Sequence, residues 1–212
     1  MIAGIDEAGR GCIIGPMVLA AAFCQKEDEA KLRKIGVRDS KKLTPAKREE
    51  LAPLIKKICR IGMVKVSAHE LTSLMSGASL NEIEALKIGE LLNSSSLKPS
   101  IVYVDSPDNI PKNFELRIRK YLKSKLHIIS QNKAEDRFPC VAAASIVAKV
   151  ERDNLIESIK QETGFDFGSG YTSDPLTIKF LETHANDPKI KQYLRWKWKT
   201  LENIKQKTLA DY

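Results

Sequence analysis

Nowhere in the 212 residues do eighteen apolar residues follow one another, although 42% of the chain is hydrophobic, so a membrane-spanning helix is not expected. The opening MIAGIDEAGRG places two acids within its first seven residues. A secretory signal would need a basic and then an apolar run there, and the reading is therefore a cytosolic protein. Cysteine is sparse: Cys12, Cys24, Cys59 and Cys140 are scattered, with no Cys-x-x-Cys pair. With only His69, His127 and His184 beside them, neither a disulfide framework nor a zinc cluster is suggested. The cysteines read as small hydrophobes. Internal repeats, low-complexity tracts and a heptad seam are also missing, and a monomer is expected.

What the chain does carry is positive charge, 35 Lys plus Arg against 27 Asp plus Glu, for a formal net charge of +8. Such a surface favours a polyanion, although it would equally keep an ordinary protein soluble. The length suits one full hydrophobic core with a small appendage.

Periodicity supplies the elements. Residues 1–5 and 17–24 are short, apolar and rich in Gly, Ala and Val, with Gly9, Gly11, Gly15 and Pro16 between them, which predicts a strand pair. Thr44 as N-cap and Pro45 at the first helical position open a helix with Leu51, Leu54, Ile55 and Ile58 on one stripe. A strand over 61–66 follows, and Ser79 with Glu82 makes a capping box for the next helix. The run IVYV at 101–104 stops at Asp105, as a buried parallel strand does at a sheet's active edge. A helix around Phe114 and Ile118, a strand near 126–129 and a long Ala-rich helix over 141–159 complete an α/β alternation. Beyond Gly164 the character changes to a Gly-rich loop, GFDFGSGYTSDP, and helices over 177–184 and 189–207. Seven basic residues against Glu202 alone fill the last segment, with Tyr193, Trp196 and Trp198 interleaved. The organisation read is a catalytic domain over residues 1–165 and a loop with a helical subdomain over 166–212.

Three acids stand where surface charge explains them poorly: Asp6 and Glu7 after the first strand, and Asp105 after IVYV. Hard divalent ions take oxygen ligands, and adjacent strand ends would gather these carboxylates into one cluster. Two such ions can activate water on one side of a phosphodiester and stabilise the leaving oxygen on the other. Composition and spacing leave the bland alternative open, in which the acids cap helices or pair with Arg10, Arg38 or Lys41.

DEAGRG at 6–11, GP at 15–16, DSKKL at 39–43, YVDSP at 103–107 and AASIVAKVERD at 143–153 together resemble archaeal ribonuclease HII, in one order from residue 1 to about 175. The resemblance implies an α/β fold of the ribonuclease H type, a mixed five-stranded sheet flanked by helices, with a helical C-terminal extension. It implies cleavage on the 5′ side of a ribonucleotide in RNA/DNA hybrids or duplex DNA, leaving 3′-hydroxyl and 5′-phosphate ends. Mg²⁺ or Mn²⁺, two ions during catalysis, would be held by four carboxylates. Asp6, Glu7 and Asp105 match three of them, with a salt-bridge role as the alternative for Glu7. For the fourth, family members read Lys-Ala-Asp where this chain has Lys133, Ala134, Glu135, Asp136. Ungapped matching gives Glu135; the rival is Asp136, which could instead cap the helix starting near Pro139.

Gly9, Arg10 and Gly11 match the loop that reads the ribonucleotide, where a side chain would hold the sugar away; a plain tight turn explains the same glycines. Tyr171 matches the tyrosine that packs on the following deoxyribose, with a core anchor as the alternative. Ser40, Lys41, Lys42, Lys149 and Arg152 look like phosphate contacts. Asp153, four residues after Lys149, reads as its ion-pair partner. Asn81 faces the DNA strand or caps locally. The C-terminal QKTLADY lacks the paired aromatics of a clamp-binding word, so no sliding-clamp partner is expected. Two other functions compete: a non-catalytic basic duplex-binding module, and a nuclease of the same fold acting on another duplex or branched substrate.

Overall fold

The computed structural model of the protein describes residues 1–37 and 43–201. Five strands form one mixed sheet in the order β3-β2-β1-β4-β5. The first two, β1 (Ile2–Ala8) and β2 (Met17–Cys24), pair antiparallel from Ile2 opposite Cys24 to Ala8 opposite Val18. Every residue of β2 is buried, which is why its pattern is a continuous apolar run and not an alternation.

Helix α1 (Asp28–Lys34) precedes α2 (Pro45–Ile58), whose N-cap Thr44 accepts from the Lys47 N–H at 3.2 Å. Strand β3 (Arg60–Val66), helix α3 (Ala68–Leu74) and helix α4 (Leu80–Ser94) follow. Ser79 caps α4 through the Glu82 N–H, but the Glu82 carboxylate does not complete the expected box. It turns to Arg117 Nη1 at 2.7 Å and the Tyr121 hydroxyl at 2.7 Å, where a full charge and a phenol outbid a main-chain amide. These partners lie on α5 (Pro111–Tyr121), which packs against α4 and β5.

Strand β4 (Ile101–Asp105) runs parallel to both β1 and β5 (His127–Gln131). Helix α6 (Pro139–Thr163) then begins directly on β1. Gly4 permits this: a Cβ there would stand 2.2 Å from Cys140 C and Val141 N. From Cys140 to Ala148 the helix is buried all round, so its small residues meet neighbours on every side.

Contacts divide the chain into two units that do not follow the linear boundary expected at 165/166. One comprises Met1–Ala8, Val18–Val64 and Ser79–Glu151. The other joins Gly9–Met17 and Lys65–Ala78 to the chain from Arg152 onward, so the division falls inside α6. The second unit has its own core of Ile13, Ile14, Ile156, Ile159, Phe167 and Leu181, with α7 (Pro175–His184) and the short α8 (Pro188–Lys191). Trp196 and Trp198 lie in turns and not on the expected helix, both half-buried against this core. Leu194 bridges to Ile14 as a strand would, which breaks the helical run before either tryptophan.

The four cysteines are free and buried, as their reading as small hydrophobes anticipates. Among the described residues no helix is long and apolar enough to cross a membrane.

Candidate active site

The parallel register sets Ile5 opposite Val104, so Asp6 and Asp105 follow directly where the β1–β4 pairing stops. Asp6 and Glu7 do not lie after the first strand as expected but within β1, which runs on to Ala8 with Asp6 opposite Ala20 and Glu7 opposite Leu19 of β2. Asp105 in turn lies opposite Gln131 at the end of β5, three residues before Ala134. β4 and β5 thus end together beside Asp6 of β1, and the chain leaving β5 brings Glu135 to Asp105.

Asp6 is buried. Its carboxyl is raised well above the usual range, first by burial and then by the Glu7 charge; the Ser145 hydroxyl and the Lys149 ammonium oppose the rise. Lys149 is itself tied to Ser145, Nζ to Oγ at 2.7 Å, one turn back on α6. The Asp105 carboxyl is pushed up to about 7, by burial first and then by the Asp6 charge, with Glu135 adding to the effect and the Ala134 N–H, 2.7 Å from Oδ1, opposing it.

Glu135 sits in a 3-10 turn, Ala134–Asp136, introduced by Lys133 in the left-handed conformation at φ 55°. That twist lets the turn present Glu135 inward: it is 3% exposed and hydrogen-bonded to Asp105, whereas Asp136 is exposed. Phe138 anchors the turn by stacking on Tyr103 of β4, ring centroids 4.0 Å apart. Because α6 starts at Pro139, Asp136 is not at its N-cap.

All the donors gathered here are carboxylate oxygens. Crowding them out of water is unfavourable until a cation arrives, and a hard divalent ion is the kind that oxygen ligands suit. Among the described residues no three acids, histidines or cysteines are already placed so that they could hold a metal ion. The set is an open one that fits Mg²⁺ or Mn²⁺ by its donors and its excess negative charge.

In the second unit, Gly9 has φ +79°, and the Cys12 N–H closes a turn onto its carbonyl at 3.3 Å. Cys12 bridges to Tyr171, whose phenol is hydrogen-bonded to the Cys12 thiol and the Gly9 backbone and is pushed up to about 12 by burial. The Arg152 guanidinium lies over the Tyr171 ring, 4.6 Å from its centroid, and donates to the Ser169 carbonyl. Tyr171 is therefore joined to the residues 9–12 turn. Asp153 pairs with Arg152 at 3.2 Å. Asn81 donates its amide to Asp108, whose other oxygen takes Arg117 Nε at 3.1 Å. Ser40, Lys41 and Lys42 lie outside the described residues.

Sequence reasoning missed Ser145 and Arg195. Ser145 sits four residues before Lys149, a spacing that sets both on one face of a helix, but nothing in the pattern tells that the face meets Asp6. Arg195 was counted only as surface charge, and it is fully buried.

The ribonuclease HII family profile matches residues 3–201. A ribonuclease HII of Archaeoglobus fulgidus is 47% identical over 212 residues, covering 100% of both chains. One from Nanoarchaeum equitans is 48% identical over 195 residues, 92% of each. Among solved structures, the PCNA complex of the Archaeoglobus fulgidus ribonuclease HII superposes with a TM-score of 0.88 and covers 100% of both chains. The ribonuclease H2 of Pyrococcus horikoshii gives 0.87 at 41% identity over 97% of each. The expectation that no sliding clamp is a partner, which rested on missing aromatics alone, is corrected by the Archaeoglobus fulgidus relative, which is solved in complex with PCNA.

Proposed function

The chain belongs to the ribonuclease HII family, and from that membership we propose that Asp6, Glu7, Asp105 and Glu135 hold the Mg²⁺ or Mn²⁺ with which it works. It is a metal-dependent endoribonuclease that cuts the RNA strand of RNA/DNA hybrids and incises duplex DNA 5′ of embedded ribonucleotides, leaving 3′-hydroxyl and 5′-phosphate ends. The observation that carries the site assignment is the buried meeting of Asp6 of β1, Asp105 at the end of β4 and Glu135 in the turn after β5, with Asp105 pushed up to about 7. Glu135 is preferred to Asp136 because it is buried against Asp105 while Asp136 faces solvent.

When bound, the divalent metal, taken as two ions, supplies Lewis acidity toward the attacking water and the leaving oxygen. The protein's own groups do the positioning. The Ala134 N–H fixes one oxygen of Asp105. Ser145 and Lys149 hold Asp6, and the Lys149 ammonium adds positive charge suited to a phosphate. Gly9, Arg10 and Gly11 read the 2′-hydroxyl and the adjoining phosphate, and Tyr171 packs on the deoxyribose that follows.

The protein acts as a cytoplasmic monomer, and a PCNA-type clamp is its partner by the example of the Archaeoglobus fulgidus complex. Light scattering giving twice the chain mass would refute the monomer, and a clamp pull-down that fails with the full chain would refute the partner.

The deciding experiment incubates the protein with Mn²⁺ and a duplex bearing one ribonucleotide. D105N is expected to lose more than about a hundredfold in turnover while still binding hybrid, since the ligand set breaks and the basic surface survives. Substantial D105N activity at saturating metal rejects the assignment, and equal incision of an all-DNA duplex by the wild type favours a different nuclease.

A further inference from the structure

Arg195 is buried completely, and its three guanidinium nitrogens all end on main-chain carbonyls: Nε on Gly15 at 2.9 Å, Nη1 on Arg10 at 2.9 Å and Nη2 on Gly9 at 2.6 Å. All three acceptors belong to one short segment, the one that carries residues 9–11. We propose that Arg195 is the positioning residue of the ribonucleotide-reading loop, turning its peptide groups so that the Arg10 and Gly11 amides face the substrate. This inference rests on the reading of residues 9–11 given above.

The argument is geometric. In a planar trans peptide the carbonyl and the following N–H point in opposite directions, and no peptide among the described residues is cis. A guanidinium that draws the Gly9 carbonyl inward therefore sends the Arg10 N–H the other way. Drawing in the Arg10 carbonyl does the same for the Gly11 N–H. Two successive amides are thereby presented as donors, the arrangement that recognises a phosphate oxygen or a hydroxyl through backbone alone.

Arg195 is well held for this task. Its own N–H donates to the Ile13 carbonyl at 3.0 Å, Leu194 bridges to Ile14, and the Gly15 N–H donates to Tyr193 at 2.9 Å. The Trp198 ring lies under the guanidinium, 5.0 Å from Cζ to centroid. Burial lowers the group to about 10, so it keeps its charge at neutral pH. The groups facing it electrostatically are Cys12, Arg152 and Tyr171, and Arg152 is also buried. Positive charge beneath the loop polarises the same peptides in the sense that strengthens their outward N–H groups. Lysine could not substitute, because one ammonium cannot reproduce a rigid fork spanning three carbonyls.

The test compares R195K with G11A. R195K keeps the charge and loses the fork. G11A adds a methyl that the protein accommodates, its nearest neighbour being Tyr171 Cδ1 at 4.0 Å. On a duplex with one ribonucleotide, both variants are expected to lose about tenfold or more in kcat, the scale of a reacting group displaced by a fraction of an ångström. KM for R195K should stay within roughly threefold and its Mn²⁺ titration should match wild type, because the basic side chains that meet the other phosphates and the carboxylates are untouched. R195K at wild-type kcat beside an impaired G11A would overturn the positioning role and leave the loop reading standing. G11A at wild-type kcat would overturn the loop reading and this inference with it. If R195K unfolds at the assay temperature, the wild-type chain decides. The Arg195 Nε–H resonance should shift when metal-free protein binds the ribonucleotide duplex and less with the all-DNA duplex, and equal shifts would refute the proposal.

Discussion

An acid whose folded-state titration sits high reports a destabilised charge, and Asp105 makes that measurable. Its carboxyl is pushed up to about 7 from an ordinary 3.8, so between those values the folded protein holds a proton that the unfolded chain has released. Stability of the metal-free protein must therefore fall as pH rises through this window, the reverse of the usual carboxylate behaviour. The expected result is a melting temperature for metal-free protein that declines from about pH 4 to pH 7, a flatter profile for D105N, and recovery at the high end when Mn²⁺ is added. A metal-free profile that rises over this range would contradict the clustering of Asp6, Asp105 and Glu135. The neighbouring question, Glu135 against Asp136, yields to isosteric loss of charge. E135Q should abolish Mn²⁺-dependent incision, by more than about a hundredfold, because it removes a buried ligand. D136N should stay within roughly threefold, since an exposed acid contributes little. An inactive, normally folded D136N beside an active E135Q would reverse the assignment.

At the level of elements, the contact between β1 and α6 is where fold and site depend on each other most directly. Strand β1 delivers Asp6, α6 delivers Ser145 and Lys149, and the two are brought together by the missing side chain of Gly4. G4A should cost about 3 kcal/mol or more in stability, the upper range for overpacking, because the obstacle is helix backbone at 2.2 Å and cannot rotate away. Denaturant unfolding with G36A as control checks this, since a Cβ at Gly36 meets nothing within 4 Å and only its φ of +93° opposes it. Much of the element layout was legible in the sequence for the same local reasons that make it stable. Thr44 and Ser79 announced helix starts, IVYV announced a buried strand, and the apolar blocks at 1–5 and 17–24 became β1 and β2. What was hidden depends on distant partners. The Glu82 carboxylate left its capping box for Arg117, 35 residues away. The tryptophans left their helix because Leu194 pairs with Ile14, and Arg195 became an interior group because its acceptors lie some 180 positions earlier. Helical spacing carries no record of such partners. In the candidate site, Asp6 and Asp105 stand out beside apolar runs, but that Asp6 lies within β1 and that Ser145 and Lys149 act on it could not be read.

The whole molecule meets its substrate through charge before it meets it through chemistry. A net +8 must work against the negative carboxylate cluster in the same chain. Phosphate contacts release counterions, so hybrid affinity should fall steeply with salt, by about 0.9 in the log-log slope for each phosphate engaged. Lys149 is the residue at which this global term and the local chemistry compete, because its ammonium is a candidate phosphate contact and also lowers the burden on Asp6. The two roles leave different traces. If Lys149 meets a phosphate in the bound complex, K149A should weaken binding severalfold and make the slope shallower by about one. If its work is confined to holding Asp6, the slope stays at the wild-type value and the loss falls on kcat alone, with a lowered affinity for Mn²⁺ not expected because removing a neighbouring cation favours metal binding. The expected outcome is a shallower slope together with a reduced kcat, since the ammonium, 2.7 Å from Ser145 Oγ, offsets the Asp6 charge and is also the proposed phosphate contact. Binding measured without divalent ions across a salt series, with K149A and K149R side by side, separates these cases, and an unchanged slope in K149A would remove Lys149 from the phosphate contacts.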